Sequence, residues 1–399
     1  MSNGPKPLEG IRVIELGQLI AGPFAGKFFA EFGAEVIKVE PPGKGDPLRT
    51  WRGMHGDTSL WWYVQNRNKK SVTLDLRTAE GQEIARKLIS GADIVIENFR
   101  PGTLEKWGLG YESLSLANPG LIMLRLSGFG QTGPMHDQAG FGSVGESMGG
   151  MRFVTGFPDR APVRMNLSLG DALAALHGVI GTMIALHHRT AHGGKGQVVD
   201  VALFEAVFNM MEGALPEYDM LGEIRGRTGT GLSGIVPSNT YPTADGQHVV
   251  IGANADSIFK RLMTLMGRED LGNDPSLANN EGRCKRVTEL DDAIAAWTMQ
   301  HTIEEVLGKL NSAQVPNGKI FSIADIARDA QYMARELIQQ VSLPDGKTLK
   351  VPGVVPKLSE TPGSLDWVGP ALGEHTQSVL ESIGFSCDQV DALRARKIV

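Results

Sequence analysis

The strongest constraint on the fold of this chain is a β-α-β pattern within its first 40 residues. The apolar run Ile11–Gly17 predicts a strand, and phenylalanines at helical spacing in Gly22–Gly33 predict a helix that ends at Gly33. Ala34–Glu40 predicts a second strand, which ends before two prolines. Two strands joined through a helix run parallel, so the chain opens a parallel sheet.

The same alternation continues along the first half of the chain. Further strands are predicted at Ser71–Leu76, Ala92–Phe99 and Leu121–Gly130, with a helix at Gly81–Gly91 and a long apolar helix at Gly170–His188. We therefore predict an α/β fold with an open, doubly wound parallel sheet.

The length of 399 residues predicts two domains, or one large domain with an insertion. The segment 216–238 is rich in Gly, Arg and Pro and is typical of a linker, and a fresh α/β pattern begins near Asp245. We predict a large domain over 1–215 and a small domain over 225–325. The tail 330–399 is predicted to return to the large domain or to wrap a partner.

Charge and composition exclude several classes of protein. The net charge of −6 gives no basic excess for nucleic acid. The two cysteines have no metal-ligand spacing and indicate a reducing compartment, so no metal site is expected. Residues 1–10 are polar, and no run approaches the ~20 apolar residues of a membrane span. These features predict a cytoplasmic enzyme that binds neither nucleic acid nor membrane.

Familiar cofactor motifs are absent from the sequence. The turn after the first strand, Leu16–Pro23, lacks the G-x-G-x-x-G spacing, which ranks an NAD-linked dehydrogenase last. The P-loop, H-E-x-x-H and C-x-x-C patterns are also missing.

Three groups of residues could carry chemistry. Asn98, Arg100 and Lys106 follow a predicted buried strand, where open α/β sheets bind phosphates or carboxylates, although a solvated loop would carry the same residues. Asp171 starts an apolar helix; it is either a first-turn acid that the helix dipole stabilises or a carboxylate nucleophile. The glycine-rich segment Arg227–Asn239 is either a flexible linker or a mobile lid.

Longer stretches carry a family resemblance, namely AGPFAGKFFAEFGAEVIKVEPPGKGD, NRNKKSVTLDL, ADIVIENFRPGTLEKWGLGY, SGFGQTGPMHDQAGF, GKGQVVDVALFEA and the late LGEHT. With Gly170-Asp171, they make nearly the whole chain resemble the class III CoA-transferases, which include formyl-CoA and carnitine CoA-transferases. The resemblance implies a Rossmann-like large domain formed by both chain ends, a small inserted domain, and two chains interlocked in a homodimer.

The resemblance also implies site residues and a reaction. Asp171 matches the family's nucleophile, which forms an aspartyl anhydride and then an aspartyl-CoA thioester. The substrates are an acyl-CoA and a small carboxylic acid, and coenzyme A enters as substrate rather than as a tightly bound cofactor. The implied CoA contacts are Leu19, Ala21, Leu74, Asn98, Arg100, Lys106 and Phe141. A lid over Gly229–Gly234 is implied, with Gly231 and Gly234 at the substrate, and Arg49, Arg52 and Arg164 are candidate partners for a second carboxylate.

Departures from the formyl-CoA pattern point to other substrates. Pro41, Ile20 and Trp61 stand where that group has arginine, glutamine and tyrosine, whereas LSGIVPSNTYPTADG looks like relatives that act on succinyl-CoA and dicarboxylic acids. The alternatives are an α-methylacyl-CoA racemase, whose catalytic histidine matches Phe141 here, and a non-catalytic acyl-CoA-binding protein.

Overall fold

The computed structural model describes residues 4–399. Its strands are β1 (Arg12–Glu15), β2 (Glu35–Glu40), β3 (Met54–His55), β4 (Thr58–Ser59), β5 (Lys69–Thr73), β6 (Ile94–Glu97), β7 (Ile122–Ser127), β8 (Val198–Ala202), β9 (Ser238–Pro242), β10 (His248–Gly252), β11 (Asn317–Lys319), β12 (Ile338–Ser342) and β13 (Thr348–Pro352). Its helices are α1 (Ala21–Glu31), α2 (Leu60–Gln65), α3 (Ala79–Ser90), α4 (Thr103–Lys106), α5 (Tyr111–Ala117), α6 (Gly142–Met148), α7 (Met151–Val154), α8 (Leu169–Ala191), α9 (Leu203–Phe208), α10 (Ala214–Leu221), α11 (Asp256–Leu265), α12 (Glu269–Gly272), α13 (Asn280–Lys285), α14 (Val287–Thr298), α15 (Ile303–Ser312), α16 (Ile323–Ile326), α17 (Ala330–Ala334), α18 (Thr376–Ser382) and α19 (Cys387–Ala395), with 3₁₀ turns at Pro47–Thr50 and Pro275–Leu277.

The large sheet has the strand order β5-β2-β1-β6-β7-β8, and every neighbouring pair is parallel. This confirms the predicted α/β fold with a parallel sheet. The order reverses direction between β1 and β6. In open α/β sheets, ligands bind outside the carboxyl ends of the strands at such a reversal. The residues that follow Glu15 and Glu97 therefore lie where a ligand is expected.

Successive apolar side chains along each strand point to opposite faces of this sheet, and a hydrophobic core lies on each face. Val13 packs with α1 and α8, whereas its neighbour Ile14 packs on the other face with α3 and the last two helices. Because both faces are covered, the inner strands are largely buried, and β2 is buried at every position after Glu35, whereas the edge strand β8 exposes Val198 and Asp200. Charged residues inside these strands consequently need partners within the protein.

The chain divides into two compact units. The first contains 1–151, 165–212 and 333–399, and the second contains 152–164 and 213–332. Residues 152–164, which the sequence predicted to lie in the large domain, belong to the second unit because Arg227 donates to the carbonyls of Phe153 and Phe157.

The second unit is built on the antiparallel sheet β11-β10-β9. Strand β10 buries Val249 and Ile251 and exposes His248 and Val250, so one sheet face supports the core. Helices α11, α14 and α15 pack there through Phe259, Leu290 and Val306.

Helix α8 corrects one expectation from the sequence. It spans 23 residues with a mean hydropathy of 1.6 in its most apolar window, so its length and composition would suit a membrane span. Only 39% of that window is buried, although the helix packs on the large sheet and on α1. Its apolar character therefore serves both the core and an exposed face.

Candidate active site

Gly17, Gln18, Leu19 and Ile20 form a turn, here called the 17–20 turn. It begins at the second residue after the end of β1, at the reversal of strand order. The Gln18 backbone N–H donates to Oδ1 of Asn98 at 2.8 Å, and Nδ2 of Asn98 donates back to the Gln18 carbonyl at 2.8 Å. Asn98 follows β6, the neighbouring strand. One side-chain amide thus fixes the two strand ends against each other.

Leu19 is held in a backbone conformation that leucine rarely adopts. Its φ of 64° lies in the left-handed region. Its N–H donates to both carboxylate oxygens of Asp46 at 3.1 Å. Strain of this kind persists only where the surroundings enforce it, and it concentrates at functional sites.

Charged side chains beneath the turn supply that support. We call Glu15, Lys38, Glu40, Asp46, Arg49 and Lys69 the buried charge cluster; it holds three positive and three negative groups, each at most 8% exposed. Nζ of Lys38 donates to the Gly17 carbonyl at 2.7 Å and pairs with Asp46 at 2.8 Å and with Glu15 at 3.1 Å. Burial opposes the charge of Lys38, but attraction to Asp46, Glu15 and Glu40 raises its pKa above the usual lysine range.

Asp46 shows the complementary effect. Burial would raise the pKa of its carboxyl, but Lys38 and the backbone N–H groups of Leu48 and Leu19 lower it below the usual range. The carboxylate therefore stays ionised and keeps accepting from the 17–20 turn.

A second feature of the first unit is the place where α6 meets α8. We call Gly142, Glu146, Gly170 and Asp171 the Asp171 corner. Asp171 is half-buried in the first turn of α8, and Gly142 is the first residue of α6. A β-carbon on Gly142 would overlap the Oδ2 atom of Asp171 and lie 2.8 Å from its Cγ. The carboxylate thus lies directly against the Gly142 backbone, an approach that only glycine permits.

This arrangement suits a carboxylate that changes its bonding during a reaction. The first N–H groups of a helix have no partner within the helix, and helix starts favour negative charge. Asp171 belongs to the start of α8 and lies against the start of α6. Such a carboxylate can attack an acyl group, and the nearby N–H groups can stabilise the oxyanion that forms.

A protein-family model described as CoA-transferase family III matches residues 8–376. The chain belongs to this family. Its relatives are CoA-transferases, as is this enzyme.

Similar proteins cover nearly the whole chain. A succinyl-CoA–D-citramalate CoA-transferase from Chloroflexus aurantiacus is 51% identical over 99% of this chain and 98% of its own length. A succinyl-CoA–L-malate CoA-transferase alpha subunit from Chloroflexus aurantiacus is 41% identical over 98% of this chain and 92% of its own. The crystal structure of a CAIB/BAIF family protein from Brucella suis is 35% identical, covers 95% of this chain and 100% of its own, and superposes with a TM-score of 0.82.

The structure divides the predicted CoA contacts into three kinds. Leu19 lies in the 17–20 turn, and Asn98 holds that turn because both polar ends of its side-chain amide bind Gln18. Ala21 and Leu74 are at most 3% exposed in the cores beside the sheet, so they could meet a ligand only through their backbone. The third kind has exposed side chains, and its members are Arg100, Lys106 and Phe141.

The candidate partners for a second carboxylate are equally diverse. Arg49 is buried in the charge cluster, bonded to Glu40 at 2.7 and 2.8 Å and stacked on Trp62, so its guanidinium is already occupied. Arg52 is exposed, has a φ of 61° and lies 4.8 Å above the Trp61 ring. Arg164, Gly231 and Gly234 belong to the second unit.

Sequence reasoning missed Lys38, Asp46 and Glu146. Lys38 lies between the apolar residues Ile37 and Val39 in EVIKVE and looks like an exposed strand position. The available signal was that a parallel sheet is buried on both faces, so a charge inside it must be paired. Among residues 4–399, no cluster of His, Cys, Asp and Glu side chains is suited to hold a metal ion.

Proposed function

We propose that the enzyme transfers CoA from succinyl-CoA to a small dicarboxylate through covalent intermediates on Asp171. The Asp171 carboxylate attacks the thioester carbonyl and expels CoA thiolate, leaving a mixed anhydride. The thiolate attacks the aspartyl carbonyl, which releases succinate and leaves an aspartyl-CoA thioester. The acceptor carboxylate then displaces the thiolate, and the thiolate attacks the acceptor's acyl carbonyl, which yields the new acyl-CoA and frees Asp171.

The observation that carries this proposal is the contact of the Asp171 carboxylate with the Gly142 backbone, where the first turns of α6 and α8 meet. Every step passes through a tetrahedral intermediate that carries a new oxyanion on a carbonyl carbon. Fixed N–H donors stabilise such charge without reorganising. A first-turn acid that only stabilised α8 would need no glycine in contact with it.

The acceptor is proposed from the relatives. The two described above are named for succinyl-CoA with D-citramalate and with L-malate, so a hydroxydicarboxylate of four or five carbons is favoured. Arg52 is the best placed of the first unit's candidates to bind the distal carboxylate, because Arg49 already pairs with Glu40. Among residues 4–399, Arg52 forms no ion pair, and its stacking on Trp61 leaves its guanidinium edge open to a carboxylate.

Mass spectrometry tests the reaction and the nucleophile together. The enzyme is incubated with succinyl-CoA and, in turn, with either enantiomer of citramalate, malate, glutarate, itaconate, mesaconate or oxalate. We expect a new acyl-CoA with a dicarboxylate and a CoA adduct on the peptide that contains Asp171. Asp171→Ala should abolish both while keeping the circular dichroism spectrum, and near-normal turnover in this variant would refute the assignment.

Other outcomes favour the alternatives. CoA binding without an adduct or product would indicate a non-catalytic acyl-CoA-binding protein. Exchange of the α-hydrogen of a 2-methylacyl-CoA for deuterium would indicate a racemase. The phenylalanine at position 141 argues against the latter, because its side chain cannot carry a proton.

We also propose that two chains form the interlocked homodimer. Leu176, Ile180 and Ile184 recur every four residues on α8, and Ile180 and Ile184 are 59% and 64% exposed. Helix α10 in the second unit buries no residue, and it likewise exposes apolar side chains, namely Leu215 and Met220. Apolar side chains exposed side by side on one helix are typical of interfaces.

Analytical ultracentrifugation, which measures the oligomeric state, tests this assembly. Ile180→Arg should lower the fraction of dimer, whereas Leu116→Arg should not, because Leu116 is an isolated exposed residue on α5. An unchanged dimer in Ile180→Arg would contradict this use of α8.

The lid over Gly229–Gly234 and the cytoplasmic location stay predictions. Within the second unit, Asn280 bonds the Gly234 carbonyl at 2.8 Å and Thr228 bonds the Gly231 carbonyl at 2.6 Å. We propose that the Asn280 bond fixes the Gly234 end of this segment, that the Thr228 bond shapes its turn, and that the segment excludes water from the anhydride.

A further inference from the structure

Glu146 is a buried acid in the Asp171 corner that the reaction scheme does not use. Its side chain is 3% exposed. It lies four residues after Gly142 on α6, so both residues occupy the same face of that helix. That face packs against α8, the helix that carries Asp171.

Glu146 touches the residue that immediately precedes the nucleophile. Its Oε1 accepts from the Gly170 backbone N–H at 3.3 Å. A β-carbon on Gly170 would lie 3.1 Å from Cγ of Glu146 and 2.9 Å from the Gly142 carbonyl oxygen. Gly170 is therefore enclosed by two residues of one α6 face, and its lack of a side chain permits the contact.

The hydrogen bond meets a need at the start of α8. The first N–H groups of a helix have no acceptor within the helix, and a side chain at the N-cap position usually provides one. Here the N-cap residue Ser168 makes no side-chain capping bond. Glu146 supplies the acceptor from another helix instead, at a buried position where an unsatisfied N–H would be costly.

We propose that Glu146 is a positioning residue for the reaction, which rests on the proposed role of Asp171 as nucleophile. By capping Gly170, it ties the start of α8 to the face of α6 against which the Asp171 carboxylate lies. The bond fixes where the carboxylate meets the thioester carbonyl. This role needs an acceptor oxygen at the distance that a glutamate side chain spans; it needs neither the negative charge nor a proton.

Three substitutions of Glu146 distinguish the contributions of its acceptor oxygen, its negative charge and its side-chain length. Glu146→Gln keeps the acceptor and its reach but removes the charge. Glu146→Asp keeps the charge but withdraws the oxygen by one carbon. Glu146→Ala removes both, and Ser147→Ala, at the exposed neighbouring position, is the matched control. The rate of CoA-adduct formation on the Asp171 peptide is measured in a single turnover, together with KM for succinyl-CoA and Tm.

We expect Glu146→Ala to slow adduct formation roughly 100-fold with KM changed less than about 3-fold, because misplacement of a reacting group by about 1 Å costs a factor of this size. Glu146→Asp should lose much of the rate, and Glu146→Gln should retain most of it. Retention in Glu146→Asp with loss in Glu146→Gln would assign the effect to charge and overturn the proposal, as would a normal rate in Glu146→Ala. If Glu146→Ala does not fold, the Gln and Asp variants decide alone. Failure of the unsubstituted enzyme to form an adduct on Asp171 would instead refute the proposed function itself.

Discussion

The 17–20 turn and the Asp171 corner both hold backbone against a site in the first unit, but they do so by opposite means. The turn rests on buried charges, with Lys38, Asp46 and Asn98 each bonded to its backbone. The corner depends on two glycines. Because Gly142 and Gly170 have no side chain, α6 and α8 approach closely and the Asp171 carboxylate contacts the backbone of α6.

This difference fits the role proposed for each region. A turn that receives a ligand through its backbone needs a fixed shape, and buried ion pairs with hydrogen bonds specify one shape strongly. A reacting carboxylate needs nearby N–H groups and room to change its bonding. Substitution should therefore affect stability first at the turn and rate first at the corner.

The largest effect is expected from removal of the charge beneath the turn. Lys38→Met leaves Asp46 and Glu15 without their shared cation, and breaking a buried pair in this way costs about 3–5 kcal/mol of unfolding free energy. Urea denaturation measures it. Lys70→Met is the matched control, because the pair of Lys70 with Glu35 is about one-third exposed and such pairs contribute roughly 0–1 kcal/mol. Equal losses in both variants would remove the distinction between the cluster and an ordinary surface pair.

The corner should respond in rate rather than in stability. Gly142→Ala places a methyl group on the Asp171 carboxylate, so we expect a loss in kcat of about 100-fold, which corresponds to roughly 2.7 kcal/mol in the barrier. The Tm should change little, because alanine favours the helical backbone of α6. Gly91→Ala is the control, since its β-carbon would make only an ordinary contact with Arg12 at 3.7 Å. A Gly142→Ala enzyme with normal kcat would show that the carboxylate has freedom to move.

The sequence predicts the sheet well and the site only in part, and the reason is the range of the interactions. Strands β1 and β2 and helix α1 show in short periodic patterns, because each buries its own apolar side chains. The partners of Lys38 come from separate stretches of the chain, and no local period relates Glu15 to Asp46. The strand order that brings Asn98 to Gln18 is likewise a property of the whole sheet.

The Asp171 corner likewise depends on contacts between residues that are distant in the sequence. Family resemblance indicates Asp171, but the contact with Gly142 joins residues 29 positions apart along the chain. Glycine-rich composition near 140–150 indicates close approach without naming the partner. The addition of residues 152–164 to the second unit depends on carbonyl contacts with Arg227 that have no sequence signature.

A smaller effect is expected from the amide that joins the two strand ends. Asn98→Ala removes both bonds to Gln18, and at about 1 kcal/mol for each bond we expect KM for succinyl-CoA to rise roughly 30-fold. Arg100→Ala provides the comparison, because its exposed guanidinium would bind a phosphate and its loss should matter less at high salt. Kinetics at two ionic strengths separate the roles. A loss in Asn98→Ala that salt abolishes would place Asn98 among electrostatic contacts with the ligand.

The smallest effect tests whether the turn's support extends to the tail of the chain. Nδ1 of His375 accepts from the Ser71 N–H at 3.3 Å, and the Ser71 hydroxyl donates to Glu40 of the charge cluster at 2.6 Å. Burial, with a smaller contribution from Lys70 against the attraction of Glu374, lowers the pKa of His375 below the ordinary value of about 6.5. The folded protein therefore prefers the neutral imidazole. The stability that His375 contributes is complete above pH ~6.5 and is lost as the pH falls through the folded-state pKa, since the unfolded chain takes up the proton first.

His375→Gln removes this titration but leaves the other histidines in place. The unfolding free energy of the unsubstituted enzyme should consequently fall more steeply between about pH 7.5 and about pH 5 than that of the variant, and the difference between the two curves isolates His375. Parallel curves would show that the imidazole is equally protonated in the folded and unfolded states. The tail would then pack on β5 without contributing to the stability of the 17–20 turn, which would depend on the buried charge cluster and on Asn98.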